Sequence, residues 1–291
     1  MSAITEGQLE VGGLVCGPGT DYLITGLAVY DLPAVTNDDI QDPSGYGIIP
    51  GPLDRYTGSL ISIEIAIKTA VPTPEALRAA MDALSDALVV WKEDATVLFR
   101  WIPPGYTGKG WRHSGRNRKL AWVDNTFQFG WVVAKLQFQS FSAARLSDDL
   151  HSAVTSLPVS SGGRTYPRVY PLVYPGIGTP GAVTLTNTGN LPADFIARID
   201  GPCTSPTILM VGPDGTPYQM TFDIPLALGD FLQVDSGAAT VLLNGVTNRQ
   251  NSIRAGTTWF RIPPGSSVAR FVANAYDPNA MLTIAWRDTR L

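Results

Sequence analysis

Ser59-Leu-Ile-Ser-Ile-Glu-Ile-Ala-Ile-Lys68 alternates without a break: Ile61, Ile63, Ile65 and Ile67 fall on one side, and Ser62, Glu64, Ala66 and Lys68 on the other. A period of two held over this length predicts a β-strand with one buried face. Shortly after it, Thr73-Pro74-Glu75 supplies a capping hydroxyl, a proline suited to the first helical position and an acid for the first turn. Leu77, Ala80, Met81, Leu84 and Leu88 then recur at helical spacing, which predicts one amphipathic helix. Strands are also expected at Thr96–Trp101 and Lys119–Val123. Phe127, Phe129, Trp131 and Val133 are apolar at odd positions but Leu136 and Phe138 at even ones, so a bulge is expected near Ala134. One helix among several strands suggests a helix packed on a small barrel or sandwich.

The second half reads differently. Residues 159–291 contain neither lysine nor glutamate and are rich in Val, Thr, Ile, Gly and Pro, a composition that favours strands over helices. Gly212-Pro-Asp-Gly215 and Asn244-Gly245 are explicit turn signals. Val183, Leu185, Phe195, Ala197, Ile199, Tyr218, Met220, Phe222, Trp259, Leu282, Ile284 and Trp286 are the expected inward residues of a β-sandwich of about eight strands. Leu157-Pro-Val-Ser-Ser-Gly-Gly163 has linker composition, which places a first domain at 1–158, a linker at 159–163 and a second domain at 164–291.

Of 291 residues, 16 % are charged, well under the roughly one quarter usual for a soluble domain. Much of the surface is therefore neutral or covered by partners. A net charge of −4 argues against a general nucleic-acid or anionic-membrane binder. No apolar run nears the ~18 residues of a membrane helix, and Met1-Ser-Ala-Ile-Thr-Glu6 lacks the basic and apolar regions of a signal peptide, so a soluble chain without a secretion signal is expected.

Chemistry is sparse. Cys16 and Cys203 are too few for a disulfide framework or a four-cysteine zinc site, and two reduced thiols are expected over a bridge between the halves. His113 and His151 lack metal-ligand spacing, and no nucleophile elbow, P-loop or dinucleotide fingerprint is present. A carboxylate pair for glycoside hydrolysis would assemble across the fold and leaves no trace in sequence. Asp38, Asp39 and Asp42 could offer oxygen ligands to calcium, but without a dedicated loop pattern they read as a solvated turn. The chain is expected to be no enzyme and to hold no metal or cofactor.

Lys109-Gly-Trp-Arg-His-Ser-Gly-Arg-Asn-Arg-Lys119 packs five of the chain's 21 cations, with Trp111, into eleven residues and reads as a basic loop. If all five cations met phosphates, log K would fall with log[salt] by roughly 4.5. Set in an acidic half-chain, Lys109, Trp111, Arg112, Arg116, Arg118 and Lys119 are instead expected to form a protein interface or a solvated loop. Tyr218, Trp259 and Trp286 could form an aromatic platform for a glycan, although each fits the inward phase of its strand.

Read as one string, Thr186-Asn-Thr-Gly-Asn-Leu-Pro192, Ile199-Asp-Gly-Pro202, Ser205-Pro-Thr-Ile208, Pro213-Asp-Gly215, Leu228-Gly-Asp-Phe-Leu-Gln-Val-Asp235, Thr240-Val-Leu-Leu-Asn-Gly245, Trp259-Phe-Arg-Ile-Pro-Pro-Gly265 and Ile284-Ala-Trp-Arg-Asp288 follow in an order and spacing that resembles the C-terminal domain of siphophage distal tail proteins. The resemblance covers residues 187–288; the first half matches only in outline. It departs from the pattern at Ser266, where an asparagine would be expected after Gly265.

The resemblance implies a mainly β protein with an N-terminal split β-barrel bearing one α-helix and a C-terminal galectin-like β-sandwich. It also implies a virion protein made in the host cytoplasm, a homo-hexameric ring joining the tail tube to the tail tip or baseplate. Its partners would be the tail tube protein, the tape-measure protein and tail-tip hub proteins, with DNA only in transit. Asn187, Gly189 and Pro192 would shape a loop, Asn244 and Gly245 a hairpin, and Pro264 and Gly265 the lead-in to a late strand; no catalytic residue transfers. A DNA conduit should not grip its cargo, so 109–119 is expected to face a neighbouring protein. Strands 59–68 and 127–138 could extend the sheet between copies. The alternative function is a glycan-binding module for attachment to the host cell wall.

Overall fold

The computed structural model describes residues 4–29, 35–36, 39–49, 51, 55–71, 73–89, 96–105, 109–123, 127, 129–161, 177–179, 181–275 and 277–291. The chain forms two compact units, residues 1–149 with Leu291, and residues 150–290. The division lies ahead of the expected boundary at 158. Strand His151–Ser156 pairs along its whole length with Met281–Trp286 and so belongs to the second unit. The expected linker begins with a strand, Val159–Ser161, which pairs with Ile177–Thr179; residues 162 and 163 lie outside the described residues.

The first unit is built on one antiparallel sheet in the order Leu14–Cys16, Leu9–Val11, Val97–Trp101, Trp111–Val123, Val132–Ser140, Leu60–Ile67, Tyr22–Ala28. Arg145–Ser147 also pairs with the start of Trp111–Val123. The isoleucine alternation behaves as its pattern dictates, with Ile61, Ile63, Ile65 and Ile67 buried. The helix runs Pro74–Leu88 and is capped by Thr73, whose hydroxyl accepts from Ala76 N at 3.2 Å. Its Leu77, Leu84 and Leu88 join the isoleucines, Phe99, Trp101 and Phe138 in one core. Two strand side chains tie the helix down: the Tyr22 hydroxyl donates to Ala80 O at 3.0 Å, and Asn117 Nδ2 to Leu88 O at 3.0 Å.

Three expectations for this unit are corrected. No ladder joins the sheet's two edge strands, Leu14–Cys16 and Tyr22–Ala28, so among the described residues it does not close into a barrel. Val132–Ser140 is regular, with Val132, Ala134, Leu136 and Phe138 all buried, so the phase change near Ala134 is no bulge. Phe127, Phe129 and Trp131 simply precede the strand. Nor can residues 59–68 or 127–138 extend the sheet between copies, because both strands they contain are interior and already paired on both sides.

The second unit stacks a six-stranded sheet on a four-stranded one. The first has the order His151–Ser156, Met281–Trp286, Phe195–Asp200, Phe231–Asp235, Thr240–Leu243, Thr247–Asn248. The second has the order Ala182–Asn187, Gly265–Val272, Thr207–Val211, Pro217–Thr221. Their inward faces share one apolar core containing Leu185, Phe195, Ile199, Phe222, Leu282, Ile284 and Trp286. Trp259 is the exception among the expected inward residues. It is exposed, and Phe260 takes the inward place, packed against Phe195 and Tyr218.

Candidate functional site

The basic stretch is a strand rather than a loop, a correction to the sequence reading. Trp111–Val123 runs through the middle of the sheet, held on one side by Val97–Trp101 and on the other by Val132–Ser140. Trp111, His113 and Gly115 pair with the core residues Trp101, Phe99 and Val97. Alternation therefore sends Arg112, Ser114 and Arg116 to the opposite face. The register then skips Arg118. That bulge reverses the phase, so Leu120 and Trp122 oppose the core residues Leu136 and Ala134 while Lys119 stays on the face of Arg112 and Arg116.

Charge on that face is only partly neutralised. Arg112 stands directly opposite Arg100, an unfavourable like-charge pairing. Arg100 is buried and is held by Glu10 at 2.6 Å and by two nitrogens on Asp148, Nε to Oδ1 at 2.9 Å and Nη2 to Oδ2 at 2.5 Å. The Asp148 hydrogen bonds are the main cause that raises the Arg100 pKa above its ordinary value. Lys109, Arg112, Arg116, Arg118 and Lys119, by contrast, have no carboxylate partner among the described residues. Arg116 stacks over Phe141 at 5.6 Å, and Arg145 over Trp111 at 4.9 Å.

His113 is interior. It stacks on Trp101 with ring centroids 5.4 Å apart, and its Nδ1 lies 3.1 Å from Ser140 Oγ. Burial, reinforced by the nearby Arg145, pushes the imidazole down to about 4. The Ser140–His113 pair resembles a nucleophile and its base, but both residues are buried, so substrate has no access. Cys16 and Cys203 are free buried thiols, pushed by desolvation up to about 12 and about 11, far from the reactive thiolate range.

The proposed aromatic platform does not assemble. Trp286 is buried and its indole donates to Thr186 O at 3.1 Å, while Tyr218 packs on Phe260. Trp259 is exposed and Tyr218 half-buried. A groove of about 650 Å³ over the four-stranded sheet is lined chiefly by Leu209, Val211, Pro217 and Val268, with Gln219 and Arg270 beside them.

The turn residues are placed structurally. Asn187 is buried and donates from Nδ2 to Leu191 O at 2.8 Å and Ile262 O at 3.1 Å, while its Oδ1 accepts from Gly189 N at 3.0 Å. At Gly189 an added Cβ would lie 1.8 Å from Thr289 O, so only glycine fits. Pro192 is an exposed residue of the same loop. Asn244 and Gly245 both have positive φ, as a type I′ turn requires, and Leu243 pairs with Thr247 across it. Pro264 precedes Gly265, which opens strand Gly265–Val272 at φ +103°.

Two apolar features escaped the sequence reading. Between Ala28 and Leu60 the chain leaves the sheet as an arm with two short ladders, Val35–Thr36 on Arg55–Tyr56 and Ile40–Gln41 on Ile48–Ile49. Ile40, Tyr46, Ile48 and Ile49 are all exposed. The signal was Asp42-Pro-Ser-Gly45, a hairpin turn between two isoleucine-bearing segments. Asp42 N donates to Gly47 O and Gly45 N to Asp42 O, both at 2.9 Å. Asp42 and Asp39 thus serve as turn acceptors, for Ser44 N and Gly51 N respectively; Asp38 lies outside the described residues. The second feature is the connection before Val132, where Phe129 and Trp131 are exposed. Among the described residues no group of His, Cys, Asp and Glu could hold a metal, and no helix is long and apolar enough to cross a membrane.

No protein-family model and no curated protein matches the chain. Solved structures do. SPP1 Dit (gp 19.1), described as a paradigm of the hub adsorption apparatus in phages infecting Gram-positive bacteria, matches with a TM-score of 0.66 at 10 % identity, covering 98 % of this chain and 99 % of that one. The phage P2 baseplate in its activated conformation with Ca matches with a TM-score of 0.51 at 10 % identity, covering 96 % and 97 %. The same baseplate with Sr gives 0.50 at 11 % identity, covering 97 % and 98 %. Over nearly its whole length, therefore, the chain has the fold of a phage distal tail and baseplate hub protein.

Proposed function

We propose that the protein is a structural component of the virion at the distal end of a long non-contractile phage tail. In this reading the first unit, an open antiparallel sheet with one helix, assembles with other copies, as a hexamer, into a ring that continues the tail tube around the DNA channel. The second unit is the galectin-like sandwich, and tail tube, tape-measure and tip proteins flank the ring. The observation that carries the reading is the end-to-end likeness to SPP1 Dit, which spans both units rather than either one. Surface chemistry supports it. Lys109, Arg112, Arg116, Arg118 and Lys119 lack acidic partners among the described residues, and in the assembly they face a neighbouring protein and not the DNA.

Mass photometry of the full chain at low and moderate salt, followed by negative-stain imaging, tests the reading. Rings of about six protomers are expected. A chain that stays monomeric alone and also when mixed with tail tube and tip proteins would overturn it.

A further inference from the structure

Asn244-Gly245 is the chain's only Asn-Gly pair. Asparagine before glycine is the arrangement most open to loss of the side-chain amide, because no side chain on the following residue hinders attack of its backbone nitrogen on the asparagine Cγ. Both residues are exposed, so water reaches the turn. Gly245 N donates no hydrogen bond among the described residues, which leaves the attacking atom untied. The amide under attack, by contrast, is held at both ends. Asn244 Oδ1 accepts from Phe231 N at 2.9 Å, and Asn244 Nδ2 donates to Asp230 Oδ1 at 3.0 Å. Asn244 N also donates to Phe231 O at 2.8 Å, so main chain and side chain are pinned to one neighbouring strand end.

We propose that Asn244 is a deamidation site gated by its own turn, with water as the co-reactant. In the first step a bond forms from Gly245 N to Asn244 Cγ and the Cγ–Nδ2 bond breaks. Nδ2 leaves as ammonia, taking the proton that Gly245 N gives up. Water then opens the cyclic imide at either carbonyl, its hydroxyl going to the carbon and its proton back to nitrogen, and yields aspartate or isoaspartate. Closing the ring re-aims Cγ and expels Nδ2, so the bonds to Phe231 and Asp230 have to open first; local opening of the hairpin therefore sets the rate. The product does not restore the turn. Aspartate puts a carboxylate where the amide nitrogen met Asp230, and two like charges at that distance repel. Isoaspartate routes the main chain through the side-chain carbon and destroys the pair of positive-φ residues that the turn requires. This turn holds Thr247–Asn248, the edge strand of its sheet, against Thr240–Leu243, so conversion loosens that edge and runs one way.

The test incubates the full chain in mildly alkaline buffer, folded and in urea, and reads its peptides by mass spectrometry for the mass gain of an amide turned acid. Asn244 should convert in both, about tenfold or more slowly in the folded chain, the protection that a locally stable turn confers. Asp230→Ala removes one of the two side-chain clamps and should convert at a rate between those limits, with thermal unfolding as the check that it folds. The consequence is read on the product directly. Asn244→Asp should lower the C-terminal midpoint, and Asn244→Asp/Asp230→Asn, which again sets one amide against one carboxylate, should recover most of the loss. An Asn244 that stays intact in the folded chain, one that converts equally fast folded and in urea, or an Asp230→Ala rate no faster than wild type overturns the gated site. An Asn244→Asp variant as stable as the wild type, or one that Asp230→Asn does not rescue, overturns the one-way step.

Discussion

The C-terminal unit buries its apolar residues between two sheets, and what it leaves outside includes Ile196 and Met281 on one outer face and, on the other, the groove lined by Leu209, Val211, Pro217 and Val268. The N-terminal unit has a single main sheet, covered on one face by one helix. Its other face carries cations without a carboxylate partner among the described residues and the Arg100–Glu10–Asp148 cluster, and Ile40, Tyr46, Ile48 and Ile49 of its arm are exposed. The first arrangement encloses its own core between two sheets. The second buries an ion pair at Glu10 and Arg100 and a neutral imidazole at His113, and leaves apolar surface open.

The sharpest way to break this comparison is to cut the chain. Residues 150–290 should fold alone as a monomer with cooperative unfolding. A fragment beginning at 164 loses strand His151–Ser156, strips six paired positions from Met281–Trp286 and opens the sheet edge over Leu282 and Ile284. It should aggregate or unfold without a cooperative transition. Circular dichroism melting of both fragments checks this, and equal behaviour would show that residues 151–156 do not complete the unit.

Arg100→Ala comes next. It leaves Glu10 buried without its partner, and removing one member of a buried ion pair costs about 3–5 kcal/mol. The loss should appear only in the N-terminal transition of a calorimetric scan. A shift in the C-terminal transition would mean that the two units do not unfold independently.

His113 supplies a pH dependence to the same unit. Its folded pKa of about 4 lies below the ordinary 6.5, so the unfolded state binds the proton more tightly. The stability tied to the neutral ring is therefore fully present above pH 6.5 and is lost as pH falls from 6.5 towards 4, by an amount on the order of 3 kcal/mol. Melting between pH 7.5 and 4 should show the N-terminal transition falling, and His113→Phe should flatten that slope. An unchanged slope in the variant would assign the acid sensitivity to other groups.

How much of this was legible in sequence depended on how local the cause was. Ile61 to Ile67 and the Thr73 cap are decided by neighbours along the chain, and the structure follows them. The turns at Asn244-Gly245 and Gly212–Gly215 are local too, with Gly215 N donating to Gly212 O at 3.0 Å. Arg112 to Lys119 was misread because charge density suggests a loop, whereas pairing with Val97–Trp101 and Val132–Ser140 makes it a strand. The phase change near Ala134 reflects aromatics that lie before the strand, which sequence spacing does not reveal, and the bulge at Arg118 shows only against its partner. Trp259 and Phe260 are adjacent, and only the register of the packed sandwich decides which one faces in. The arm hides in sequence for a related reason: apolar residues imply burial, yet Ile40, Tyr46, Ile48 and Ile49 are exposed among the described residues.

The smallest expected effect sharpens the comparison from within the N-terminal unit. The helix is its sole cover over the isoleucine face among the described residues, and Thr73 is the side chain that starts it. Thr73→Ala removes the acceptor for Ala76 N, which should cost about 1 kcal/mol, while Thr73→Asp, which keeps an acceptor, should cost little. Because Leu77, Leu84 and Leu88 still bury the helix, the sheet should remain folded and only the N-terminal midpoint should drop, by about 2–4 °C in a unit of this size. If both substitutions lower the midpoint equally, the hydrogen bond at Thr73 is not what holds the first turn, and packing of the apolar face alone sets where the helix begins.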